Sequence, residues 1–247
     1  MTGYDVLRAL HVPGTPLIVP NVWDAASAKL VERAGFPVVA TGSAAVAESL
    51  GYRDHHGTPL VETFAAFTRI TRAVSVPVSF DVEGGYGLSE AELAERLAEV
   101  GAAGCNIEDT DHDATGVVEM ARQADRVAAL RAASPDLVIN ARVDVFLHAP
   151  DQQAVLDEGI KRARAYLEAG ADCVYPILVR DLEVLRAFTD AVAPAAVNAT
   201  YLPSGPDFAG LAQLGLARIS LGVGLWRDVQ NHLIGKLALL KEGKRPF

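Results

Sequence analysis

The sequence predicts a (β/α)8 TIM barrel, and three observations carry that expectation. The chain has 247 residues, close to the roughly 250 that one closed ring of eight strand–helix units requires. Eight short apolar runs alternate with longer segments whose apolar residues return at three and four, the alternation of βαβ units around a parallel sheet. Several of the passages from helix to strand carry the same small-residue signature.

Taken in order, the expected strands cover residues 17–20, 38–41, 78–82, 105–108, 137–142, 172–176, 195–198 and 218–221. Each is about five residues long, the length of a stave buried on both faces. Between them, residues 25–34, 63–73, 90–100, 120–132, 151–169 and 181–192 have helical spacing. The charges within 90–99 and 122–131 fall on wetted helix faces. Glycine follows the helix at Arg33-Ala34-Gly35-Phe36, Glu99-Val100-Gly101-Ala102, Glu168-Ala169-Gly170-Ala171 and Gln213-Leu214-Gly215-Leu216. There it takes the left-handed conformation that ends a helix and lets the next strand begin at once. A last helix over 226–241 closes the barrel or docks on a neighbouring subunit. No linker or change of composition divides the chain, so residues 1–247 are read as one domain.

Composition excludes several functions. With 22 Lys and Arg against 31 Asp and Glu, the formal net charge is −9 and the pI about 5.1. No basic face is available to neutralise phosphates, so no nucleic-acid partner is expected. The apolar runs fall far short of the roughly 18 residues that span a bilayer, and MTGYDVLRAL has no signal-peptide core. A cytoplasmic protein without membrane contact is expected. Cys105 and Cys173 lie in expected strands and read as buried thiols rather than a disulfide framework.

Side-chain parity then locates a site. In a barrel stave alternate residues face inward, and catalytic groups gather at the carboxyl end. Ser79, Asp81 and Glu83 share one face of the third strand; Asn106 and Glu108, Asn140 and Arg142, and Asn198 and Thr200 do the same on the fourth, fifth and seventh. Three carboxylates at one mouth repel: at about 5 Å and an effective dielectric near 20, each pair costs roughly 3 kcal/mol. Proton uptake would relieve this, but several oxygen ligands at a partly wet mouth better suit a hard divalent cation, Mg2+ first and Mn2+ as an alternative. No zinc set is expected, because the cysteines are misplaced and the histidines scattered along the chain.

These residues resemble those of the isocitrate lyase/phosphoenolpyruvate mutase superfamily. The resemblance rests on Asn21-Val-Trp-Asp-Ala-Ala-Ser-Ala28, Thr41-Gly-Ser-Ala44, Ser49-Leu-Gly-Tyr-Arg-Asp54, Pro77-Val-Ser-Phe-Asp-Val-Glu-Gly-Gly-Tyr-Gly87, Asn106-Ile-Glu-Asp109 and Asn140-Ala-Arg-Val-Asp144, in the family's order and spacing. It implies a barrel whose eighth helix is exchanged in a homo-oligomer, a tetramer or a dimer. It also implies Mg2+ held by Asp81, with Glu83, Glu108 and Asp54 around its waters. The implied substrate is a small 2-oxo acid that passes through an enolate, with Arg142 stabilising the oxo oxygen. Thr41, Gly42 and Ser43 correspond to the loop that binds the substrate carboxylate, and Asn198 and Thr200 to positions near the departing group. Glu83 stands where many members carry Asp.

The departures direct the choice of reaction. The lyases carry a Lys-Arg-Cys-Gly-His type loop after the fourth strand, and the mutases a lysine version. Here the stretch reads Asp109-Thr-Asp-His-Asp-Ala-Thr-Gly116, with neither Lys nor Cys. The lyase glutamate after the sixth strand is also replaced, within Tyr175-Pro-Ile-Leu178. The expectation is a Mg2+-dependent lyase or decarboxylase of the oxaloacetate decarboxylase type, belonging to a branch without the cysteine loop. Two readings stand beside it: P–C bond chemistry on phosphonopyruvate, of mutase or hydrolase type, and a non-catalytic dicarboxylate-binding barrel. His112 is either the acid that protonates the enolate or a solvent-exposed loop histidine. His55 and His56 either support the Asp54 shell or form a polar turn. Trp23 and Tyr86 wall the pocket or simply pack.

Overall fold

The computed structural model describes residues 2–112, 114 and 116–247. Asp113 and Thr115, two positions of the departing loop, lie outside the described residues. The strands are β1 (Leu17–Val19), β2 (Asn21–Val22), β3 (Val39–Thr41), β4 (Val78–Asp81), β5 (Gly104–Ile107), β6 (Val138–Val143), β7 (Cys173–Pro176), β8 (Ala196–Thr200) and β9 (Arg218–Ser220). All neighbouring pairs are parallel, and each strand follows the previous one around the sheet. β1 pairs with β9 at Leu17↔Arg218, while β2 pairs with β3 at Asn21↔Ala40. Pro20, which has no N–H to give a ladder, parts β1 from β2. They are therefore two halves of one stave, and the ring closes with eight. The first expected strand, residues 17–20, thus continues to Val22.

Among the described residues, ten helices surround the ring or lie across its ends: α1 (Gly3–Ala9), α2 (Ala25–Arg33), α3 (Ser43–Ser49), α4 (Leu60–Thr71), α5 (Glu90–Glu99), α6 (Met120–Ala133), α7 (Val145–His148), α8 (Leu156–Glu168), α9 (Leu182–Val192) and α10 (Phe208–Ala212). An eleventh, α11 (Gly224–Lys241), follows. Their starts are written locally: Asp24 with Ser27 and Ser89 with Glu92 form capping boxes on α2 and α5. Gly35, Gly101, Gly170 and Gly215, the repeated glycines, all have positive φ. The helix expected at 63–73 begins a turn earlier, at Leu60, and that expected from 151 begins only at Leu156. The helices α1, α3 and α7 lie outside the expected spans, while α10 is the helix whose end the Gln213–Leu216 signature marks.

The main apolar core lies between staves and helices, where Phe67 of α4 stacks on Phe80 of β4 with ring centroids 4.1 Å apart. Outward packing of Phe80, Cys105 and Ile107 leaves Asp81, Asn106 and Glu108 for the interior of the ring, as parity requires. The last helix differs from the others: α11 buries none of its residues, and Val229, Leu233, Ile234, Leu237 and Leu240 are each about half exposed or more. Only its root is moored, by Trp226 Nε1 donating to Glu48 at 2.5 Å and by the Trp23 ring 5.1 Å away. Among the described residues, no helix is long and apolar enough to cross a membrane.

Candidate active site at the carboxyl end of the barrel

The ring interior is polar and layered. At mid-depth Asn140 Nδ2 donates to Asn106 Oδ1 at 2.9 Å, Arg218 Nη2 reaches the same oxygen at 3.3 Å, and Asn198 Nδ2 donates to Ser220 Oγ at 3.1 Å. Arg218 is fully buried, and no carboxylate among the described residues pairs with it. Sequence reasoning did not single it out, although its register opposite the inward-facing Asn198 carries that signal.

Above this floor stand Asp81, Glu83, Glu108 and Arg142, all buried. Arg142 holds Asp144 by two bonds, Nε to Oδ1 at 3.1 Å and Nη2 to Oδ2 at 2.6 Å. Its Nη1 pairs with Glu108 Oε2 and lies 3.9 Å from Asp81 Oδ1. Burial opposes its charge, but Asp144, Glu108 and Asp81 together hold it firmly protonated. The support continues outward. Asp144 accepts Thr110 Oγ1 at 2.6 Å and its N–H donates to Asp109 Oδ1 at 2.7 Å; Asp109 Oδ2 in turn accepts Tyr166 OH at 2.6 Å and Arg162 Nη1 at 3.0 Å, both from α8. Asp109 and Asp144 occur in the motifs read from the sequence but received no role there.

Each carboxylate is tuned separately. Burial pushes Asp81 up to about 6, with Arg142 opposing and Glu108 and Asp54 adding. Burial pushes Glu83 up to about 8; the His56 N–H, donating to Oε2 at 2.6 Å, opposes, while Asp54, Asp81 and Glu108 add. Burial acts on Glu108 in the same sense, but Arg142 and His112 outweigh it and the carboxyl is lowered. Glu108 is thus the anion of the pair, and Glu83 the group that ionises last.

Three of the histidines that are scattered in sequence, His55, His56 and His112, converge here, against the expectation that their scatter offers no nitrogen ligand set. The His56 and His112 rings lie 3.9 Å apart at 32°, and His55 is 5.7 Å from His112. His112 Nε2 stands 2.7 Å from Glu108 Oε1, out of line for a hydrogen bond, and the Glu108 contact raises its pKa. Burial lowers His56 to about 4. His55, His56, Glu83 and Tyr86 all hold positive φ without being glycine. Backbone strain of this kind persists only where surrounding contacts impose it, and it gathers at functional sites. His112 sits in a tight turn in which Thr110 and Val117 bridge, Asp111 N–H donates to Gly116 O at 3.0 Å and Val118 N–H to Asp109 O at 2.8 Å.

The remaining residues singled out from the sequence occupy distinct places. Thr41 Oγ1 accepts the Asp81 N–H at 2.9 Å, and the Gly42 N–H donates to Val22 O at 3.3 Å. Ser43 brings its N–H and hydroxyl to Asp81 Oδ2, at 3.4 and 3.2 Å. Thr200 Oγ1 is 2.7 Å from Tyr175 OH and accepts the Leu178 N–H at 3.2 Å. Asn198 lies in the floor rather than at the mouth. Asp54 Oδ1 is buried with no hydrogen-bond partner. An orphaned carboxylate oxygen among three further carboxylates, countered by one guanidinium, fits a hard divalent cation such as Mg2+. Asp81, Glu83, Glu108 and Asp54 are the residues that would hold it.

Fold and site together define a parallel (β/α)8-barrel protein with a carboxylate-rich mouth suited to a divalent cation. The sequence profile described as phosphoenolpyruvate phosphomutase matches residues 7–239, and the chain belongs to that family, within the phosphoenolpyruvate mutase/isocitrate lyase superfamily. The superfamily includes C–C lyases and mutases and typically uses Mg2+. An uncharacterised protein of Mycobacterium tuberculosis is 34% identical over 213 residues, 86% of this chain and 80% of that one. The 2-methylisocitrate lyase of Escherichia coli K12 is 32% identical over 224 residues, covering 81% and 74%. A crystal structure from Burkholderia cenocepacia J2315, named provisionally as a phosphonomutase, superposes with a TM-score of 0.90 at 38% identity over 97% of this chain and 99% of that one.

Proposed function

We propose that this chain is a Mg2+-dependent lyase or decarboxylase that cleaves a C–C bond of a small 2-oxo acid, oxaloacetate or a substituted relative, through a pyruvate-like enolate. One observation carries the reading: the anion-stabilising set around Arg142 is assembled in full, while the segment that bears Lys or Cys in the lyases has neither and brings His112 to Glu108. Decarboxylation needs the first and little of the second. A bound Mg2+ would polarise the oxo group of the substrate. Arg142 has five N–H donors, and three are committed to Asp144 and Glu108, which leaves two for the developing oxyanion. Ser43 with Thr41 and Gly42 binds the substrate carboxylate, and Thr200 flanks the departing end. As the C–C bond breaks, its electron pair enters the enolate and CO2 leaves. His112, whose pKa the Glu108 contact raises, then gives a proton to the enolate carbon.

The exposed apolar face of α11 supports assembly into a homo-oligomer, a tetramer or a dimer, in which that helix is covered by a neighbouring barrel. P–C bond chemistry is the second reading, favoured by the phosphomutase profile. One assay separates them: purified protein with Mg2+ is offered oxaloacetate, its 3-substituted relatives, 2-methylisocitrate and phosphonopyruvate, and release of pyruvate, or of phosphoenolpyruvate from phosphonopyruvate, is followed above the uncatalysed rate. Exchange of the pyruvate methyl protons with deuterium is measured in parallel. Release from an oxo diacid with methyl exchange is expected. Turnover of phosphonopyruvate alone would replace the first reading by the second, and neither release nor exchange would sink both.

A further inference from the structure

Beside the oxygen-lined mouth the structure places a second constellation, of mixed nitrogen and oxygen donors. One ligand atom each of His56, Glu83 and His112 lies within 4.8 Å of the other two. Donors about a divalent transition ion at roughly 2.0–2.2 Å stand about 3–4 Å apart, so a small closure of the three would seat one. Three further features converge on the same point. His56 Nε2 is buried with no hydrogen-bond partner, an imidazole nitrogen left idle in a crowded place. A Cβ at Gly84 would meet His112 Cδ2 at 3.0 Å and His56 Cε1 at 3.4 Å, so glycine there is what admits the paired rings. His56 and Glu83 both hold left-handed backbone, with the His56 N–H fixing the Glu83 carboxylate. On the outer side His56, Gly84 and His112 line a cavity of about 580 Å³ shared with Tyr86, Thr110 and Arg126, which gives an ion a route in and water a place to complete its shell.

We propose that His56, Glu83 and His112 form a second cation site, adjoining the carboxylate site of the mouth through Glu83, whose two carboxylate oxygens can serve one ion each, and that it takes a borderline divalent transition ion of the Zn2+ or Co2+ type. Two imidazoles and one carboxylate match that class of ion and suit Mg2+ poorly, because Mg2+ prefers oxygen and keeps its water. Occupancy engages a ring nitrogen of His112 and so withdraws the proposed proton donor. Zn2+ therefore inhibits turnover without competing with Mg2+. That inhibitory consequence rests on the function proposed above; the binding itself does not.

The test is direct binding to the full chain, freed of metal by chelation and then supplied with Mg2+ in excess. Zn2+ is titrated by calorimetry, and Co2+ by its visible absorption, which reports nitrogen ligation. One equivalent per chain is expected in the presence of Mg2+. His56→Ala and His112→Ala are each expected to weaken Zn2+ binding at least tenfold, and Asp81→Asn to weaken Mg2+ while leaving Zn2+ within about twofold. Simple displacement of Zn2+ by Mg2+ would overturn the proposal, as would unchanged Zn2+ affinity in folded His56→Ala. The Zn2+–Mg2+ competition uses the unaltered protein, so it decides the matter even if a variant does not fold. Zn2+ binding of this pattern in a protein without turnover would sink the proposed function and leave the site standing.

Discussion

At the scale of single residues, Asp144 determines how Arg142 is presented. It receives two of the guanidinium bonds and is itself fully buried, with burial pushing it up to about 7. Asp144→Asn keeps the shape but loses the charge. We expect turnover to fall at least a hundredfold with a smaller change in KM, and stability to fall by about 3 kcal/mol, the scale of a broken buried ion pair; steady-state kinetics and urea unfolding check both. Acidity gives a second prediction. The Glu83 carboxyl sits at about 8 against an ordinary 4.5, so the folded chain binds its proton more tightly than the unfolded chain does. The stabilisation is complete below about pH 4.5 and is lost as pH rises through 8. Metal-free protein should therefore melt at progressively lower temperature from pH 5 to pH 8.5, and added Mg2+ should raise the melting temperature most at the alkaline end. A metal-free melting temperature that climbs over that range would contradict the assignment. Asp81, Glu108 and Arg142 were legible beforehand because strand alternation fixes which way a side chain points. The grouping of His55, His56 and His112 was not, because loops have no period from which to read their path.

At the scale of elements, the support for the site comes from outside the ring. Helix α8 sends Arg162 and Tyr166 to the same oxygen of Asp109, which carries the backbone of Asp144. Tyr166→Phe removes one donor from a buried carboxylate, and about 1.5–3 kcal/mol of stability is expected to go with it. Activity should decline more modestly than in Asp144→Asn, because Arg162 remains; thermal melts and kinetics on the same preparation test the pairing. The loop of glycines after β4 is equally constrained. Gly84→Ala forces a methyl against the His56–His112 rings, and a loss of about 1–3 kcal/mol is expected from overpacking. The long helices and the glycines that end them could be read from spacing. The short α3 and α7 could not, because seven and four residues hold too few turns to show a repeat. Those two begin at the mouth, where Ser43 and Asp144 start or cap them.

At the scale of the molecule, the exposed face of α11 predicts that the 26.1 kDa chain does not travel alone. Light scattering should give a dimer or a tetramer, and Leu233→Glu with Leu237→Glu should give a monomer with unchanged circular dichroism in the barrel bands. A wild-type monomer at micromolar concentration would remove the argument. The other global feature is the seam at Pro20. The two parts of that first stave join β9 and β3, and the Asn21 side chain ties them: its Oδ1 accepts the N–H groups of Leu221 and Gly222 at 2.9 and 2.8 Å, and its Nδ2 donates to Thr41 O at 2.8 Å. These bonds join positions 200 and 201 apart in sequence. A growing chain on the ribosome therefore keeps its first stave half unpaired until residues 218–222 have emerged. Until then the barrel is an open sheet with an adhesive rim, and its completion is a matter of timing as much as of affinity.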